Sequence, residues 1–212
     1  MNRRQLTEPE RALVFAAASL LLRYPDEGLL EQLPLLHRAA GLLPGPSGER
    51  LTAFVDSLDS RPLIELQTAY VATFDLKRRN CLYLTYYLNG DTRRRGMALW
   101  HFQDAYLSRG LTVTAGELPD FLPVVLELAA CGHEDLALAL ILEHRHGIEV
   151  LQQSLAETLS PYADVIAALV AALPQPTPAI LAAAETLAKD GPPAEQVGLE
   201  PFFPMDSLGV RT

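Results

Sequence analysis

From Thr7 to Lys189 the chain repeats one pattern: a polar or proline-bearing start, a short run of Leu and Ala spaced three and four residues apart, and a Gly or Pro stop. Only a helix gathers residues at that spacing onto one face, so the pattern commits the chain to packed helices rather than sheets. The β-branched and aromatic residues that favour strands are comparatively sparse. With 49% apolar and 20% charged residues in 212, there is enough apolar surface for one substantial core.

The helix boundaries follow from local chemistry. Thr7-Glu8-Pro9-Glu10 has the form of a capping box with Pro in the first turn. Leu13, Ala17, Leu20, Leu21 and Tyr24 follow at helical spacing, and Tyr24-Pro25 stops the run. A helix from about Asp26 carries Leu29, Leu30, Leu33 and Leu36, with Pro34 expected to kink or split it. Beyond the connector at 43–48, a short helix over 49–58 precedes one from Arg61 to Phe74 that aligns Leu63, Leu66, Tyr70 and Phe74. The run Leu82-Tyr83-Leu84-Thr85-Tyr86-Tyr87-Leu88 suits a strand or a helix, and helix is favoured because a single strand has no partner.

Asp91 is the expected cap of a helix over 92–109 that Gly110 closes, although Arg93-Arg94-Arg95 oppose its dipole. Glu117-Leu118-Pro119-Asp120 reads as the first turn of a helix ending at Gly132. The segment 133–146, apolar nearly all round, is expected at the centre of the bundle and to stop at Gly147. Helices over 148–159, 161–173 and 179–189 complete an all-α, single-domain bundle of about eight to ten short helices. Residues 1–189 form that domain, and the Pro-rich tail 190–212 is expected to hold little fixed structure.

The chemistry that the sequence lacks is informative. A formal net charge of −9 disfavours nucleic acid as a partner. Neither G-x-x-x-x-G-K-[ST] nor G-x-G-x-x-G nor G-x-S-x-G occurs, which removes the usual phosphate cradles and the nucleophile elbow. His144 and His146 would stand on different sides of a helix, a poor geometry for one metal ion. Cys81 follows Lys77-Arg78-Arg79, cations that could lower a thiol pKa, but no second cysteine or histidine stands near it. It reads as a half-buried small residue. No secretory signal and no membrane-spanning run is recognisable, so a cytoplasmic protein without catalytic chemistry is expected.

Between residues 70 and 131 the sequence becomes specific. Tyr70-Val71-Ala72-Thr73-Phe74-Asp75-Leu76-Lys77-Arg78-Arg79, Leu82-Tyr83-Leu84-Thr85-Tyr86-Tyr87, Gly90-Asp91-Thr92-Arg93 with Arg95-Gly96-Met97-Ala98, and Glu117-Leu118-Pro119-Asp120 with Leu122-Pro123 occur in this order. Together they closely resemble the nitrate reductase molybdenum-cofactor assembly chaperones, the NarJ group of the TorD/DmsD superfamily. Tyr24-Pro25-Asp26 is similar to that family too. In the wider superfamily the Glu-x-Pro-Asp element is often followed by His; here Phe121 follows Asp120, so any role of that imidazole does not transfer.

The resemblance implies a helical chaperone that binds the N-terminal segment of the apo catalytic α subunit of a respiratory nitrate reductase. It would hold that subunit open while molybdenum cofactor and an iron–sulfur cluster are installed; both belong to the client, and the chaperone carries no cofactor or metal. Contact with cofactor-synthesis proteins, and the choice between monomer and weak dimer, stay open. A general helical adaptor and a weak nucleotide-binding maturation factor are the competing readings.

A basic, amphipathic client segment needs an apolar floor and an acidic rim. Tyr70, Phe74, Tyr83, Tyr86, Tyr87, Trp100 and Phe121 are candidates for the floor; Asp75, Glu117, Asp120 and Glu127 for the rim, with Pro119 between the last helix-start acids. Phe74 and Trp100 equally suit the core. Arg78, Arg79, Arg93 and Arg95 are candidates for positioning the 75–91 loop through internal pairs. The apolar cluster Leu199-Glu200-Pro201-Phe202-Phe203-Pro204-Met205 suggests a tail that rests in the client groove when no client is present.

Overall fold

The structure, a computed structural model, describes residues 5–114 and 116–193 and is all-α, with eleven helices among those residues. α1 (Glu8–Leu21) begins where the capping box places it: the Glu10 carboxylate accepts from the Thr7 backbone N–H at 2.8 Å. α2 (Glu27–Gly41) is capped by Asp26, whose Oδ1 accepts from the Leu29 N–H at 2.8 Å. Pro34 does not split it, because its ring is exposed and the forfeited hydrogen bond falls on the solvent side. α3 (Pro46–Asp59) starts ahead of the expected 49, with Pro46 in its first position.

α4 (Leu63–Tyr70) continues into a π-turn, Val71–Asp75, closed by the Leu76 N–H on the Val71 carbonyl at 3.1 Å. Leu66, Tyr70 and Phe74 stay buried through it. After a single turn, α5 (Tyr86–Asn89), come α6 (Arg94–Leu107), α7 (Leu122–Ala130), α8 (Glu134–Glu143), α9 (Arg145–Glu157), α10 (Tyr162–Ala172) and α11 (Pro178–Asp190).

The centre belongs to α1 and α10. α1 packs on α7, α2 and α10, and α10 on α3, α1 and α9. Val14, Phe15, Ala18, Val165, Ile166 and Leu169 are fully buried there. Arg50–Asp164 (2.7 Å) ties α3 to α10, and Arg11–Glu134 (2.7 Å) ties α1 to the start of α8. The tail expectation for residues 199–205 lies outside the described residues. Among the described residues no helix is long and apolar enough to cross a membrane.

Several local expectations are overturned. Tyr83 is not helical but pairs with Phe121 in an isolated antiparallel bridge, and a turn at 84–85 follows; helix begins only at Tyr86. Asp91 does not cap α6, which starts at Arg94. α7 starts at Leu122, so Glu117–Asp120 precede it and Pro123, not Pro119, sits in its first turn. The 133–146 segment breaks at His144, and Gly147 lies inside α9. A Cβ at Gly147 would stand 2.5 Å from the Tyr87 ring, so glycine there serves packing rather than termination. α8 is not central: it packs chiefly on α7, with Ala139 and Glu143 exposed.

Candidate functional site

A cleft of about 530 Å³ opens between the C-terminal end of α1, the start of α2, the π-turn and the bridged segments 81–83 and 117–121. Its floor is aromatic. Tyr70 packs on Phe74 with ring centroids 4.8 Å apart, Tyr24 meets Tyr70 edge-on at 5.5 Å, and Tyr83 lies 5.2 Å from Phe121. Leu20 and Leu29 complete the apolar lining. The Tyr70 hydroxyl donates to the Leu22 carbonyl at 3.0 Å, and burial, followed by the neighbouring Tyr162 and Asp75, pushes its pKa far above the ordinary value. It is a fixed, neutral wall.

Three carboxylates line the rim: Asp26, Asp75 and Glu117. Asp26 is committed to capping α2. Asp75 and Glu117 are exposed, and neither makes an ion pair or side-chain hydrogen bond among the described residues. Arg23, the one cation among the described lining residues, is drawn outward to Glu127 at 2.5 Å. The cleft therefore presents apolar surface beneath two uncommitted negative charges. Burial raises the Tyr83 pKa, with Glu117 the next cause, so that hydroxyl also stays protonated at the mouth.

Other candidates lie elsewhere. Asp120 has no exposed surface, so it is not a rim residue. Its Oδ2 accepts from the Thr85 N–H at 3.1 Å and the Thr85 Oγ1 at 2.6 Å, and Arg95 approaches to 4.0 Å. Around it, the Leu84 N–H donates to the Asp120 carbonyl (3.0 Å) and the Leu122 N–H to the Leu82 carbonyl (2.8 Å). This buried latch clamps the 82–85 segment onto the residues before α7, and by doing so sets Tyr83 beside Phe121. The guanidinium of Arg95 lies over the Tyr83 and Tyr86 rings at 5.4 and 5.9 Å and pairs with Asp91 at 3.8 Å.

Tyr86 and Tyr87 are buried and do not line the cleft. The Tyr87 hydroxyl donates to the carbonyls of Arg79 (3.0 Å) and Cys81 (2.8 Å), which closes the loop from beneath. Pro119 lines a neighbouring cavity and offers its carbonyl to Tyr106 at 2.6 Å. Glu127 is exposed outside the cleft, where it holds Arg23. Trp100 is exposed rather than core, whereas Phe74 is buried yet still borders the cleft. Arg78, Arg79 and Arg93 are exposed; of the four arginines, Arg95 is the one inside the latch. The Cys81 thiol, half-buried, is pushed up to about 11 by burial, the opposite of activation by its basic neighbours.

The pattern of the nitrate reductase delta subunit family matches residues 40–168, more than half of the chain. The "Probable nitrate reductase molybdenum cofactor assembly chaperone NarJ" of Bacillus subtilis is 33% identical over 168 residues, covering 77% of this chain and 90% of that protein. The chain belongs to the nitrate reductase delta subunit family. The "Nitrate reductase molybdenum cofactor assembly chaperone NarJ" of Escherichia coli K12 is 32% identical over 115 residues, 53% of this chain and 49% of that protein. The "Nitrate reductase-like protein NarX" of Mycobacterium tuberculosis is 38% identical over 157 residues, 74% of this chain, but the chain spans only 24% of that protein's length.

The delta subunit match contains the π-turn, the latch and the 117–121 segment, but it begins after Leu20–Gln32, which build the opposite wall of the cleft. Arg23, Tyr24, Asp26 and Gln32 were not among the residues expected at the site. The signal available for them was Tyr24-Pro25-Asp26: a large aromatic pinned at a helix end, then a cap that opens the next helix.

Proposed function

We propose that this chain is an assembly chaperone of a respiratory nitrate reductase and that the cleft binds the N-terminal segment of the enzyme's catalytic α subunit. The observation that carries the reading is the pair of uncommitted carboxylates, Asp75 and Glu117, above the Tyr24–Tyr70–Phe74 and Tyr83–Phe121 floor. A cavity of about 530 Å³ suits a few apolar side chains from one face of an amphipathic segment, with basic residues of the same segment meeting the rim. The relatives named as nitrate reductase cofactor-assembly chaperones support a nitrate reductase as the client.

On this reading the chaperone acts in the cytoplasm before membrane attachment. Molybdenum cofactor and the iron–sulfur cluster are delivered to the client, and no catalytic step falls to this chain. Asp120, Thr85 and Arg95 position the cleft rather than touch the client.

Calorimetry with a synthetic peptide of the α subunit's N-terminus, beside a scrambled peptide, tests the proposal. The Asp75→Lys/Glu117→Lys variant should bind more than about tenfold more weakly, two charge reversals at about 1 kcal/mol each, with its helical circular dichroism intact. Unchanged affinity in that variant removes the rim, and equal binding of both peptides removes the specific client.

A further inference from the structure

α6 carries an apolar strip that nothing among the described residues covers. Met97 is 72% exposed, and Trp100, the chain's one tryptophan, is 60% exposed. Three residues apart on a helix, they form one continuous patch. At the N-terminal end of this patch Arg94 is exposed, and the first turn of α6 contains no acidic residue. The positive end of the helix dipole and the Arg94 guanidinium therefore add up, a combination that favours an incoming carboxylate. Apolar surface beside a cationic helix start calls for a segment that is apolar with an acid at one end.

The described chain leaves off against the turn that precedes α6. α11 ends at Asp190, and the carbonyl of Pro193 lies against Gly90, four residues before Arg94. A Cβ on Gly90 would stand 1.7 Å from that oxygen. Gly90 has φ +55 and ψ −149, a conformation essentially restricted to glycine, so backbone and contact both fix the residue.

We propose that residues 199–205 dock on the Met97–Trp100 strip of α6, with Glu200 at its basic start, rather than in the cleft. The reach suffices: Phe203 is ten residues beyond Pro193, about 33 Å of extended chain, while the whole of α6 is about 21 Å long. The spacing agrees as well. Glu200 to Phe203 spans about 10 Å when extended, and Arg94 to Trp100 about 9 Å along the helix. Residues 194–212 hold Glu195, Glu200 and Asp206 against Arg211, so their charge opposes that of the α6 start. Pro201 and Pro204 bias the residues before them toward extended backbone, which lowers the ordering cost of docking. Aromatic rings on Trp100 and Met97 make favourable edge and sulfur contacts. The strip lies outside the cleft, and the inference does not depend on what the cleft binds.

Trp100 is a built-in reporter. Acrylamide quenching of its fluorescence in the full chain is compared with the Phe202→Ser/Phe203→Ser variant, at matched far-UV circular dichroism. Undocking should roughly double the quenching constant and red-shift the emission, as burial of a large aromatic is lost. Glu200→Lys should do the same, and Glu200→Lys/Arg94→Glu should restore protection, which a merely structural effect of either residue does not predict. An unchanged quenching constant in the double-serine variant overturns the proposal. So does protection that disappears on dilution, since a second copy of the chain would then be the cover.

Discussion

Replacing Asp120 by Ala strikes the part of the structure on which the cleft depends. The carboxylate is completely buried and accepts two hydrogen bonds from Thr85, itself fully buried, with Arg95 at 4.0 Å. Alanine leaves an N–H and a hydroxyl without an acceptor and a half-buried guanidinium without its inner anion. Each hydrogen bond to a charged acceptor contributes about 1.5–3 kcal/mol, and removing one partner from a buried charged network costs about 3–5 kcal/mol. In urea, followed by circular dichroism, the midpoint should fall by about 1–2 M at unchanged m, given about 2.5 kcal/mol per M for a chain of this size. Asp120→Asn keeps one accepting oxygen and should recover part of the loss. A double-mutant cycle with Thr85→Val should return a coupling of about 1–3 kcal/mol. A loss under about 1 kcal/mol in Asp120→Ala, or no coupling to Thr85, would refute the latch.

Three further outcomes follow from the packing. Gly147→Ala would normally favour a helix by about 1 kcal/mol, but the added methyl meets the buried Tyr87 ring, so urea titration should show a net loss of about 1–3 kcal/mol; a gain would mean that the ring yields. Burial lowers the pKa of His144, with no charge partner to offset it fully, and also that of His146. Below the ordinary imidazole pKa the unfolded chain binds more protons than the folded one, so this stability is complete above about pH 6.5 and declines as pH falls toward the depressed folded values. Unfolding midpoints across pH 5–8 should therefore slope less in His144→Gln/His146→Gln, and an identical slope would assign the pH dependence to other groups. Thiol titration at pH 8 should show exposed Cys131 reacting fast and Cys81 slowly, in keeping with a thiol pushed up to about 11; equal rates would contradict the burial of Cys81.

The chain's own periodicity determines the all-α class, most helix starts and the aromatic stripe Leu66–Tyr70–Phe74, because caps, prolines and three- and four-residue spacing act within a few residues of themselves. The acids Asp75 and Glu117 were legible as rim candidates for the same reason: both sit at breaks between helices, where side chains reach solvent. What sequence could not settle was anything that depended on a distant partner. Tyr83 is extended because Phe121, remote in sequence, supplies the other half of a bridge. Asp120 looks like a helix-start carboxylate beside Glu117, yet one faces solvent and the other is sealed against Thr85, a difference of direction that composition does not encode. Gly147 looks like a stop and serves as a seat for Tyr87. The far wall of the cleft, from Leu20 to Gln32, joins the motif region only when α1 and α2 fold back against it. Local signals fix where helices form; the site is decided by which surfaces of those helices exclude water together, and that is a property of the packed chain.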